Sequence, residues 1–289
     1  MASMQDIKRR RNSIQSTQQI TKAMKLVSTV KLQRAKQKAE SAKPYFAMMY
    51  STVCSIMEKT DNVNHPFLVH NGSEKKAVIT ITSNRGLAGG YNTNVIKGME
   101  AYGLKPSECD CIAVGKKGLE VLNRKGFNVV KDECDVINEP LYSDAIRISK
   151  EALEMYTRGD VGEVYLAYTE FKNTVSQIPH VMKLLPIDVS EVDAPNEEEA
   201  TKAKAIMDYE PDPDEALNQI VPKYMTSLIF GAFMEAVASE NGARMQAMDN
   251  ATNNAEDMIQ SLSLQYNRAR QGSITQELTE IIAGASAVS

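Results

Sequence analysis

The sharpest pattern in the chain lies near its C-terminal end. There Met245, Met248, Thr252, Ala255, Ile259, Leu262, Tyr266 and Ala269 recur at strict alternation of three and four. That spacing gathers one stripe of a helix and marks a coiled-coil seam. After a one-residue slip with Gly272 in the gap, the pattern resumes at Ile274, Leu278, Ile281 and Ala285, and no proline occurs beyond Pro222. A helix from about Pro222 to Ala285 would run about 95 Å at ~1.5 Å per residue, far longer than an ordinary globular helix. It requires a partner along its length. Alanine and threonine on the seam, in place of uniform leucine, predict close helix approach and modest stability.

The partner is predicted at the other end of the chain. The first proline is Pro44 and the first glycine Gly72, so the opening forty-three residues contain no strong helix breaker. Ile7 and Ile14 stand one heptad apart and Ile20, Met24 and Val27 follow at four-and-three spacing, with Lys, Arg and Gln on the other faces. Ser3 is placed to cap the start. Because the two helices open and close the chain, the intervening segment must be a domain that returns it. Lys76 to Thr82, Asp110 to Gly115 and Phe127 to Lys131 read as short buried strands rich in β-branched residues. Helical patterns at Asn92 to Tyr102, Lys116 to Lys125 and Ser143 to Arg158 alternate with them, and Glu163 to Lys172 adds a further element. The middle therefore reads as a small, mainly parallel α/β sheet. Val189 to Pro213, with three prolines and clustered acids, reads as a linker. The expected divisions are a helix over 1–60, an α/β domain over 74–190, an acidic linker over 191–213 and a second helix over 214–286.

Composition narrows the function. At 289 residues and 43% hydrophobic, the chain can bury a real core, and disorder of the whole is excluded. Aromatic residues make up 6%, tryptophan is absent and methionine reaches 15, a balance suited to long helices with adaptable surfaces. The net charge of -4 argues for neither a nucleic-acid nor a membrane partner. Its distribution is uneven: eleven Lys and Arg against Asp6 and Glu40 up to Lys43, and ten acids against Lys202 and Lys204 between Glu191 and Glu215. Cys54, Cys109, Cys111 and Cys134 form no C-x-x-C pair and read as buried or free thiols. No apolar stretch opens the chain, which predicts no secretory signal, and the most apolar run, Leu228 to Ala238, is interrupted by Glu235, which predicts no direct membrane span.

Candidate chemistry is sparse. Ser83 to Asn92 (SNRGLAGGYN) puts glycines after a strand and before a helix, where a phosphate-cradling loop would sit. The dinucleotide fingerprint needs G-x-G-x-x-G, and this stretch, with its G-x-x-G-G, reads as a tight strand-to-helix turn, nucleotide binding being the alternative. Gly115-Lys-Lys-Gly118 lacks the spacing of a P-loop and reads as a helix start. The run Lys8 to Arg11 suggests a basic-region DNA reader, but such readers fork from a parallel dimer. A solvated face, or a docking surface for an acidic collar, fits better. His65, His70 and His180 show no metal-ligand spacing, and no nucleophile elbow is present.

Three C-terminal segments then carry a resemblance: Ala243 to Thr252 (ARMQAMDNAT), Tyr266 to Gln271 (YNRARQ) and Ile274 to Ile281 (ITQELTEI). With Ile20-Thr-Lys-Ala-Met24, Ser83-Asn-Arg-Gly-Leu87 and Tyr209-Glu-Pro-Asp-Pro213, they make the whole chain similar to the gamma subunit of F-type ATP synthases. Asn84 stands where the family usually carries Asp, and Arg11 where it is usually apolar; the cysteine-bearing insertion of the plant plastid form is missing. The resemblance implies an antiparallel coiled coil of the terminal helices plus a Rossmann-like α/β domain. It implies a non-catalytic rotating shaft, without cofactor or metal, that couples ion flow to ATP synthesis or hydrolysis. The implied partners are the alpha and beta subunits of the catalytic hexamer, an epsilon subunit and the membrane c-ring, on the cytoplasmic face of a bacterial membrane, with no nucleic acid. The same match places Met24, Lys25 and Arg244 against the hexamer, with packing as the alternative for these. It assigns Arg270, Gln271, Thr275 and Glu277 to a polar contact with a catalytic subunit. The seam slip beside Gly272 is an independent reason to look there, since a slip turns side chains out of the seam.

Overall fold

The computed structural model describes residues 4–59, 65–187 and 213–288. In chain order the elements are α1 (Met4–Lys59), β1 (Lys76–Ile81), α2 (Tyr91–Ala101), β2 (Cys109–Val114), α3 (Lys116–Lys125), β3 (Asn128–Asp132), α4 (Tyr142–Thr157), β4 (Glu163–Phe171), β5 (Gln177–Leu185) and α5 (Pro213–Val288). The expected strands and helices of the middle fall within a residue of those observed. Both terminal helices run through a proline: α1 continues through Pro44, and α5 begins at Pro213, one residue before the expected 214, and continues through Pro222. The Ser3 cap and, apart from Pro213, the acidic stretch from Val189 lie outside the described residues, as does the side chain of Cys54.

The chain divides into two units, 1–28 with 245–289, and 29–244. The second holds a five-stranded sheet in the order β3-β2-β1-β4-β5. β1 pairs in parallel with β2 and β4, β2 with β3, and only β5 runs antiparallel, against β4. β5 was not expected, and Pro179, its third residue, speaks against a strand. At the sheet edge a missing N–H is tolerated, and α2 lies over this strand with Gly98 close against the Pro179 ring.

Alternation along the strands separates two layers. Ile79, Ile81, Ile112, Val164 and Leu166 face Ile148 and Ala152 of α4, Val53 and Ile56 of α1, and Met225, Ile229 and Phe233 of α5. Val78, Cys109, Cys111 and Ala167 face Val95, Ile96 and Met99 of α2 and Leu122 of α3. Burial pushes the Cys109 thiol up to about 11 and that of Cys111 higher still, and Cys134, also buried, rises to about 12. These thiols stay protonated and inert at neutral pH. One window of 18 residues within Glu215–Ala285 reaches a mean hydropathy of 1.2, the length and composition of a membrane-crossing helix, but 56% of it is buried inside the chain.

Candidate functional site

Within the first unit the two helices run antiparallel, as their cross-links require. Gln18 Nε2 donates to Glu256 Oε2 at 2.6 Å, Thr21 and Thr252 share a hydroxyl hydrogen bond at 2.8 Å, and Lys25 Nζ meets Asp249 Oδ1 at 2.5 Å. Arg11 lies over the Tyr266 ring, 5.6 Å from its centroid. On α5 the inward positions are those the alternation predicts, with Met248, Ala255 and Leu262 buried and Thr252, Ile259 and Tyr266 half-buried. On α1 the seam is Ile7, Arg11, Ile14, Gln18, Thr21, Lys25 and Ser28, again at four-and-three spacing.

This corrects the expected seam on α1. Ile20 and Val27 are 60% and 57% exposed, and Met24 is half-buried beside the seam. The helix turns its polar stripe inward, where Arg11, Gln18, Thr21 and Lys25 find partners on α5, and leaves an apolar stripe outward. An apolar periodicity search selects the wrong face. The signal that would have found the right one is the continuation of Ile7, Arg11 and Ile14 at the same spacing into polar residues. Lys8, Arg9 and Arg10 are exposed and Arg11 alone is turned in, as either a solvated face or a docking surface requires.

A second correction concerns the end of α5. The seam does not resume after Gly272: Ile274, Leu278 and Ile281 are 49%, 54% and 68% exposed. The cause is length. With Arg11 opposite Tyr266, the antiparallel ladder exhausts the described part of α1 close to Gly272. Arg270, Gln271, Thr275 and Glu277 are all exposed on this overhang, and Thr275 Oγ1 donates back to Gln271 O at 2.9 Å. The geometry thus brings the four predicted contact residues together on an open surface, and Lys25 into the seam.

Arg244 is placed elsewhere. In the second unit its side chain is 11% exposed, paired with Glu240 (12%) at 2.7 Å, and its Nη2 donates to the carbonyls of Arg85 and Gly86, each at 3.3 Å. It grips the Ser83 to Gly90 loop and is buried, the arrangement the packing alternative describes. At the tip of that loop Leu87 adopts a left-handed φ of 63°, costly for a branched side chain.

The start of the loop is tied down by its own chain. Asn84 Oδ1 accepts from Lys116 N at the α3 terminus, at 2.9 Å, while Asn84 Nδ2 donates to Cys134 O at 2.6 Å. Ser83 N and Oγ both donate to Asn92 Oδ1, at 2.9 Å. Gly118 N donates to Thr82 Oγ1 at 2.9 Å, and a Cβ at Gly115 or Gly118 would collide with Thr82, so these glycines serve packing. Open α/β sheets bind ligands at the carboxyl ends of their strands. Here α5 occupies that crevice: Tyr91 Oη, in a phenol whose ionisation burial opposes strongly, donates to Ala236 O at 3.1 Å, and Ser239 Oγ to Thr169 O at 3.1 Å. A cleft of about 590 Å³ beside β3 is lined by Lys116, Asp132, Asp135, Glu139 and the mutually paired Glu133, Arg147 and Asp144. Among the described residues no cluster of His, Cys, Asp and Glu is arranged to hold a metal ion.

A family model described as ATP synthase matches residues 3–288. The ATP synthase gamma chain of Lachnoclostridium phytofermentans is 59% identical over the full length of both chains. The chain belongs to the ATP synthase gamma family. The gamma chain of Alkaliphilus metalliredigens is 43% identical over 99% of this chain and 98% of its own. In fold, the chain is similar to a chain of the Euglena gracilis mitochondrial ATP synthase, at a TM-score of 0.66 and 19% identity, covering 99% of this chain and 94% of that one. Membership of the gamma family makes this a non-catalytic subunit of an enzyme complex.

Proposed function

We propose that the chain is the central shaft of an F-type ATP synthase, turning inside a hexamer of alpha and beta subunits and coupling ion flow to ATP synthesis or hydrolysis. One observation carries this reading. The end of α5 is exposed on every face from Arg270 to Ala285, yet it bears Ile274, Leu278, Ile281 and Ile282 among polar residues. An apolar stripe left exposed on such a helix suits a protein surface that covers it, and an apolar bearing lets contacts be exchanged without fixed hydrogen-bond geometry. The outward Ile20 and Val27 extend that property to α1.

A shaft does work by biasing the conformations of its partners, through contact free energy that differs between their states. Arg270, Gln271, Thr275 and Glu277 are the proposed directional contacts with one catalytic subunit. Met24 is proposed to face the hexamer beside Lys25, and Arg244 to act through the loop it grips. The remaining proposed partners are an epsilon subunit and the c-ring, with the complex at the cytoplasmic face of a bacterial membrane. The test is reconstitution of the full complex in vesicles. Omitting this chain should abolish ATP-driven ion transport, and the purified chain should not hydrolyse ATP. Coupled transport without it, or intrinsic turnover free of catalytic subunits, overturns the assignment.

A further inference from the structure

In the second unit, α5 meets the carboxyl end of the sheet along one stripe. Ala236, Ser239 and Gly242 stand three residues apart on a single helical face. Ala236 O accepts from Tyr91 Oη and Ser239 Oγ donates to Thr169 O, both at 3.1 Å. At Gly242 the contact changes character. A Cβ there would lie 3.3 Å from Cε2 of Phe171, so the missing side chain is the socket in which the ring sits. The same ring carries Lys36 Nζ of α1 5.1 Å from its centroid. Phe171 is the last residue of β4 and so joins the sheet to both terminal helices.

The rest of that interface is an apolar face of α5, with Met225, Ile229 and Phe233 packed on the sheet. Hydrophobic burial is non-directional and resists sliding or axial turning of a helix only weakly. Hydrogen bonds at fixed carbonyls, and a ring in a close-fitting socket, resist both. The conjunction of a strand-end ring, a glycine socket and a cation from the second helix joins three elements at one point.

We propose that Phe171, seated at Gly242 and beneath Lys36, is a rotational key: a positioning residue that locks the α/β domain to the helix pair so that torque applied to the domain turns the shaft instead of being lost as slip. The role rests on the shaft reading. Phe171→Ala empties the socket; Gly242→Val fills it; Gly242→Ala presses on the ring, whose Cε2 would lie 3.3 Å from the new Cβ; Phe171→Tyr keeps it.

The experiment compares ATP hydrolysis with ATP-driven ion transport in membrane vesicles carrying the assembled complex. Phe171→Ala and Gly242→Val complexes are expected to hydrolyse ATP within about twofold of the parent while transport per ATP falls at least about twofold, and Phe171→Tyr is expected to restore the parental ratio. A residue that only stabilises the domain would change yield and melting temperature and leave that ratio alone. Should the larger changes prevent assembly, Gly242→Ala is expected to lower transport per ATP in the same direction by a smaller factor. Parental ratios in every assembled socket variant overturn the key and leave the shaft intact. If the parental chain itself supports no coupled transport, the shaft reading falls and the key with it.

Discussion

Asn84 does with one amide what a carboxylate cannot. Its oxygen accepts from Lys116 N and its nitrogen donates to Cys134 O, tying the loop after β1 to the start of α3 and the turn after β3. Asn84→Asp keeps the acceptor but sets a carboxylate against the Cys134 carbonyl. The variant is expected to lose about 1–3 kcal/mol of stability, read from urea unfolding of the full chain. Gln271 illustrates the opposite case, an exposed side chain whose value depends on a partner. Gln271→Leu should leave this chain's own melting temperature unchanged and slow ATPase of the assembled complex severalfold, since one remade bond of ~1 kcal/mol is worth a factor of several in rate. Parental ATPase in both Gln271→Leu and Arg270→Ala complexes would remove these residues from the contact.

Among the elements, the helix pair of the first unit is held by a polar ladder. Lys25 and Asp249 are 39% and 45% exposed, so solvent screens their attraction, and a double-mutant cycle should give a coupling below ~1 kcal/mol that fades in salt. Thr21 and Thr252 differ because Thr21 is buried. Thr21→Val removes the cross-helix bond while Thr252 Oγ1 keeps its donation to Met248 O at 2.7 Å, so a double-mutant cycle with Thr252→Val should give a coupling of about 0.5–1 kcal/mol by thermal melts. The ladder also decides what was legible in the sequence. The seam of α5 could be read because apolar residues mark it. That of α1 could not, because Gln18, Thr21 and Lys25 are inward only in company with their partners. β5 escaped notice because Pro179 breaks the strand pattern, and only its edge position excuses it.

For the whole molecule, strand and helix alternation gave the sheet, but not that α5 would fill its ligand crevice. That outcome depends on contacts between residues far apart in sequence, such as Tyr91 with Ala236. The same distance hides the electrostatics at the opposite end of the sheet. Burial works against the Glu163 carboxylate, but Lys183, the Tyr165 hydroxyl and Lys76 outweigh it and hold it below its ordinary 4.5. A depressed native pKa contributes stability that is present above the unfolded value and is lost as pH falls through the native one. Glu163→Gln should therefore lower the melting temperature of the full chain at neutral pH and flatten its decline on acidification below 4.5. An unchanged acid slope would show that other carboxylates set it.

The overhang at the end of α5 carries one more consequence. From Gly272 to Ala285 the helix has no side chain buried, and it contains Gly272 and Gly284, each costing about 1 kcal/mol of helix propensity relative to alanine. An isolated helical segment of that length is marginal in water. In the free chain its amides should exchange with deuterium almost as fast as in a random coil, while those around Ala255 and Leu262 are protected. Enclosure by a surrounding ring would then slow exchange from Gly272 onward by orders of magnitude, so mass-resolved exchange before and after assembly would watch the tip of the helix become solid.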